Sequence, residues 1–140
     1  MIFETELTAA LCAFVLGGEV EVRHDFMIAD DRSHIRVDCE TETHVYEVGL
    51  DARTSSYDSV VQAVFAAELT GKLPAVVIID TNGVEDHEEY RVRVAARAAG
   101  ITYLTVDRDY LIRMQMAWPF RSRKDHFLSG EGNEALAVLN

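Results

Sequence analysis

The run Ala75–Asp80, Ala-Val-Val-Ile-Ile-Asp, is almost continuously β-branched and apolar, the pattern of a strand covered on both faces. A second such run, residues 101–106, follows it, and the stretch between them carries the charge order of a helix. Glu85, Asp86, Glu88 and Glu89 open residues 84–99, and Arg91, Arg93 and Arg97 follow, so the charges match the helix dipole from end to end. Gly100 is the natural stop. Strand, helix and strand in this order predict a right-handed parallel crossover over residues 75–106, which commits the chain to an α/β sheet.

The preceding residues supply the rest of that sheet. Residues 3–16 place Leu7, Ala10, Leu11, Phe14 and Val15 on one stripe, an amphipathic helix that Gly17 and Gly18 end. Alternation in residues 19–26 predicts a strand, residues 28–34 a polar connection, and residues 34–40 and 43–50 two strands joined by a tight loop. Ser55 or Ser56 caps the next helix, with Asp58 in its first turn, Gly71 and Pro74 at its end, and Tyr57, Val60, Val61, Val64 and Ala67 as its buried stripe. Residues 107–118 read as a short helix, 119–127 as a basic loop and 131–140 as a short or frayed terminal helix. A chain of 140 residues accommodates one core, so residues 1–140 are expected to form a single domain with 107–140 as a less regular extension.

Charge limits the partners. The net charge is −11, and residues 1–70 carry 14 acidic against 4 basic side chains, a balance of −10. Affinity for nucleic acid comes largely from basic groups that displace counterions, so this half repels DNA unless metal ions neutralise it. No apolar run approaches the roughly 20 residues of a membrane span, and the acidic start does not read as a secretory signal, so the expected compartment is the cytoplasm with no membrane partner. Cys12, mid-helix, and Cys39, in a strand, lack metal or redox spacing and read as small buried side chains. His24, His34 and His44 likewise lack the spacing of zinc ligands.

The chemistry-bearing constellation lies in the second and third strands. Asp38 and Glu47 sit on neighbouring antiparallel strands, where two carboxylates can converge on a hard cation such as Mg²⁺ or Mn²⁺. With Gln62 on the following helix and the order helix, three strands, helix, strand, the chain resembles the PD-(D/E)xK, or restriction-endonuclease-like, nucleases over residues 4–80. The resemblance implies a three-layer core with a central mixed sheet and metal-dependent cleavage of DNA. It also implies a metal site of Asp38, Glu47, the Val48 carbonyl and an acidic residue of the first helix, Glu6 or Glu4, with Gln62 in support. It breaks at position 49, where Gly49 stands in place of the catalytic lysine. Lys72 and Lys124 are the only lysines, and Arg53 or Arg36 is the nearer source of positive charge, although arginine cannot tune its pKa as lysine does.

Two other readings stand beside a nuclease with a degenerate site. One keeps the fold but makes it a non-catalytic protein-interaction module. The other is a small α/β binding domain using Asp80, Thr81 and Asn82, at the end of a buried strand where open α/β sheets place ligands. Met114, Met116, Trp118 and Phe120 recur at a two-residue period before the basic patch Arg121–His126, and are expected to cover a sheet edge or join two copies into a homodimer.

Overall fold

The computed structural model describes residues 4–121, with side chains described to residue 117. Helix α1, Glu4–Ala10, widens into a π-helical segment, Leu11–Leu16. Gly17 ends it at φ 72°, its N–H reaching back five residues to the Cys12 carbonyl at 2.8 Å. Strands β1 (Glu19–Ile28), β2 (Asp31–Glu40), β3 (His44–Leu50), β4 (Leu73–Asp80) and β5 (Thr102–Asp107) form one sheet in the order β1-β2-β3-β4-β5. Pairing is antiparallel from β1 to β3 and parallel from β3 to β5. Helices α2 (Asp58–Thr70) and α3 (His87–Ala98) connect the parallel strands, and α4 (Arg108–Arg121) follows β5. The observed order is therefore helix, three strands, helix, strand, helix, strand, helix.

Helices cover both faces of this mixed α/β sheet. On one, Leu7, Leu11 and Val15 of the first helix meet Leu111 of α4 over Val48, Val77, Ile79 and Val106. On the other, Ala63 of α2 and Val92 and Ala96 of α3 pack on Val76 and Ile78. Residues 75–79 are fully buried, as the unbroken apolar run requires. Truncating a side chain such as Leu11 or Ile78 to alanine would remove about 2–5 kcal/mol. Among the described residues no helix is long and apolar enough to cross a membrane.

Five expectations are corrected. Residues 28–34 are not a polar connection. They belong to a long β1/β2 hairpin whose two-residue turn is Ala29-Asp30, with Ile28 paired to Asp31. The run is polar because both faces of the hairpin are largely open to solvent. Neither serine caps α2: a 3₁₀ turn, Thr54–Tyr57, precedes the helix, and Ser56 Oγ donates instead to the Leu50 carbonyl at 2.6 Å. The most buried positions of α2 are Ser59, Ala63 and Ala66; of the expected stripe Tyr57, Val60 and Ala67 pack against the core, whereas Val61 is 71% exposed and Val64 is also outside. Small side chains let the helix approach the sheet closely, which overrides the apolar stripe. Residues 108–121 form the helix expected over 107–118, continued to Arg121, so the expected two-residue spacing does not put Met114 and Met116 on one face: Met114 is buried and Met116 is 72% exposed. The side chains of Trp118 and Phe120, the patch beyond Arg121 and the terminal segment lie outside the described residues.

The fifth correction concerns the cysteines. Both are fully buried, but Cys12 and Cys39 form a disulfide across 27 positions of sequence, tying the π-helical segment to β2. The pairing is a tertiary contact, so no local spacing announces it.

Candidate metal-binding cleft

Strands β2 and β3 pair through two rungs, Cys39 to Tyr46 and Glu40 to Val45. Continued by one step, that register sets Asp38 opposite Glu47, and here the strands part. The Val48 N–H, which would otherwise bond to a neighbouring strand, donates to Asp38 Oδ2 at 2.8 Å. The carboxylate therefore substitutes for a ladder bond and is held at the fork between the strands.

Two clefts open there, and Asp38 lines both. The larger, of about 550 Å³, is bounded by Ile35, Arg36, Asp38, Glu47, Val61, Gln62 and Phe65. Three residues singled out from sequence, Asp38, Glu47 and Gln62, thus share one cavity, although they come from β2, β3 and α2. The second cleft, of about 290 Å³, lies against α1, with Glu4, Thr8, Glu21, Asp38 and Val48 in its wall.

The electrostatics are those of a crowded acidic pair. Glu47 is only 4% exposed. Burial first, then the negative charge of Asp38 and a hydrogen bond between the two side chains, push the Glu47 carboxyl up to about 9. At neutral pH Glu47 therefore holds a proton where a cation could equally sit. Glu21 adds a further acidic group: the rungs on either side are Val20–Cys39 and Val22–Val37, so it lies opposite Asp38. Its φ of 49° is a left-handed conformation that costs a non-glycine residue about 1–2 kcal/mol. No sequence signal pointed to Glu21, because in a strand pattern it reads as a solvated position.

The remaining site residues separate. Glu4, rather than Glu6, lines the cleft beside Asp38, and Glu6 is exposed on α1. Arg53 pairs with Glu4 at 3.5 Å, and Arg36, which lines the larger cleft with both carboxylates, pairs with Glu21 at 3.8 Å. Lys72 is held elsewhere, its Nζ donating to Glu40 Oε2 at 2.8 Å and to the Thr41 carbonyl at 2.7 Å. Position 49 is closed: a Cβ on Gly49 would lie 2.5 Å from Ser56 Oγ and 2.9 Å from Ser56 Cβ. Glycine is present because the 3₁₀ turn packs onto the strand there.

At the far end of β4, Asp80 Oδ1 accepts from the Asn82 and Gly83 N–H groups at 3.0 Å, a tight turn leading to α3. Thr81 donates through both its N–H and Oγ1 to Asp51 at 2.9 and 2.8 Å. Burial, then the charges of Asp80 and Asp51 and of Asp86 and Glu85, push the nearby Glu89 carboxyl up to about 7. Asp51 was not singled out in the sequence, and Glu89 was read only as an acidic residue of a first helical turn, since each stands at an element boundary.

Compared with known proteins, the chain matches no family model, no curated protein and no solved structure.

Proposed function

We propose that the protein is a Mg²⁺- or Mn²⁺-dependent phosphodiester hydrolase of the PD-(D/E)xK type, acting on DNA, with its metal site at Asp38 and Glu47. The observation that carries this reading is the convergence of Asp38, Glu47, Gln62 and Arg36 on one cleft at the fork of β2 and β3. The donor set suits a hard cation: two adjacent carboxylates, one of them buried and kept protonated by burial and by the charge of the other. A bound cation would supply charge neutralisation and an activated water.

The chain's own residues do the rest. Val48 N–H fixes the orientation of Asp38. Asp38 and Glu47 would hold the cation, with Glu47 giving up its proton to ligate it. Gln62, exposed on α2 at the rim, is positioned to donate to a phosphate oxygen, and Arg36 brings to the cleft the positive charge that Gly49 does not. Glu4 and Glu21 extend the acidic surface toward α1.

The test is cleavage of single-stranded, double-stranded and nicked DNA with Mn²⁺ and with Mg²⁺. Activity that disappears in Asp38→Asn and in Glu47→Gln, and weakens in Arg36→Ala, is the expected result. Wild-type protein that binds Mn²⁺ in the cleft yet cleaves none of these substrates would overturn the catalytic role. That outcome favours the second reading, a non-catalytic domain of the same fold, which has its own support in the closure of position 49 by Ser56.

A further inference from the structure

Away from the cleft, three carboxylates converge at the carboxyl ends of the parallel strands. Asp51 directly follows β3, and its N–H donates to the Ile79 carbonyl at 3.1 Å, which docks it beside β4. Asp80 is the last residue of β4, and Glu89 lies in the first turn of α3. One carboxylate oxygen from each of Asp51, Asp80 and Glu89 lies within 4.8 Å of the other two.

Proximity of acidic groups alone would say little, but Glu89 adds an independent observation. It is only 4% exposed, and its Oε2 is buried with no hydrogen-bond partner. An unsatisfied buried polar atom costs about 1–3 kcal/mol, and more when charged, so native structures leave few of them. None of the three carboxylates is ion-paired among the described residues; the neighbouring Arg93 is committed to Glu85, at 2.7 and 3.0 Å.

We infer that Asp51, Asp80 and Glu89 form a second divalent-cation site, separate from the cleft of Asp38 and Glu47. The three side chains come from three elements, so a bound cation clamps the ends of β3 and β4 to the start of α3. Oxygen-only donors select a hard cation: Ca²⁺, Mg²⁺ or Mn²⁺. The carboxylates are already oriented, Asp51 by both donors of Thr81 and Asp80 by the Asn82 and Gly83 N–H groups; each Asp51 oxygen accepts one of these bonds and keeps a lone pair for the ion, and on Asp80 both bonds fall on Oδ1, leaving Oδ2 to ligate. Binding also braces the 3₁₀ turn that follows Asp51 and leads into α2.

The experiment uses the full chain carrying Asp38→Asn and Glu47→Gln, which removes the cleft carboxylates and makes the result independent of the nuclease reading. Calorimetric titration with CaCl₂, MgCl₂ and MnCl₂ should show about one equivalent of at least one cation, with a matching rise in Tm. Adding Glu89→Gln, or separately Asp80→Asn, should abolish both signals while the Tm in EDTA stays at or above that of the parent. Absence of saturable binding in the cleft variant overturns the inference. So does binding whose stoichiometry survives both added substitutions.

Discussion

Ser56 fills the space that a side chain at Gly49 would enter, its Oγ lying 2.5 Å from where a Cβ would be built. Placing at position 49 the lysine of the PD-(D/E)xK pattern therefore meets a steric barrier. Gly49→Ala is expected to destabilise by about 1–3 kcal/mol through overpacking, and Gly49→Lys by at least as much, with no gain in cleavage. Thermal melts and DNA-cleavage rates of both variants check this. An alanine variant melting with the wild type would show that the turn yields freely.

Glu47 sets a pH dependence whose sign follows from its raised carboxyl. Folded, it keeps its proton up to about 9, whereas the unfolded chain loses it near the ordinary 4.5. Stability from this group is thus fullest below the ordinary value and declines as pH rises through that window. Glu47→Gln, which keeps a hydrogen on the side facing Asp38, removes the dependence. In metal-free buffer its Tm should exceed the wild type by about 3 °C or more at pH 8, on the scale of roughly 1 kcal/mol, with the gap closing toward pH 4.5. A constant gap across that range would contradict the assignment. Added Mn²⁺ should raise the wild-type Tm more than that of the variant.

The disulfide gives an expected stability effect as large as that of a core truncation. Cross-linking positions 27 apart restricts the unfolded chain by about 3–4 kcal/mol. Urea midpoints with and without reductant, and for the double variant Cys12→Ser/Cys39→Ser, measure it. The reduced protein and the double variant should unfold at the same, lower urea concentration. Coincident midpoints for oxidised and reduced protein would mean that the bond does not form in solution.

Asp86 caps α3, its side chain accepting from the Glu89 N–H at 2.9 Å. Asp86→Ala is expected to lose about 1 kcal/mol, and Asp86→Asn much less, by the same melts. Equal losses for the two would point to charge rather than capping.

The parallel half of the fold is legible in the sequence because its signals are local. Residues 75–79 are apolar without interruption and buried on both faces, and Gly17 ends its helix where the pattern placed the stop. Asp38, Glu47 and Gln62 were legible as candidates, but their meeting in one cleft was not, since it depends on a hairpin register that the pattern does not fix and in which a one-residue slip would separate the two carboxylates. The turn at Ala29-Asp30 was hidden because Ala29, at φ 51°, carries no turn chemistry. The small-residue face of α2, the Cys12–Cys39 bond and the meeting of Asp51 with Glu89 depend on which elements pack together, which periodicity does not encode.

Strand β1, ten residues long and mostly exposed, forms one outer edge of the sheet among the described residues. An unpaired edge of that length is a template on which another chain can add a strand, the first step toward aggregation. Glu19, Glu21, Arg23 and Asp25 place charge along it, and the net −11 makes every approaching copy a repelling one. The acidic balance that discourages nucleic acid thereby also protects the open hairpin from its own kind.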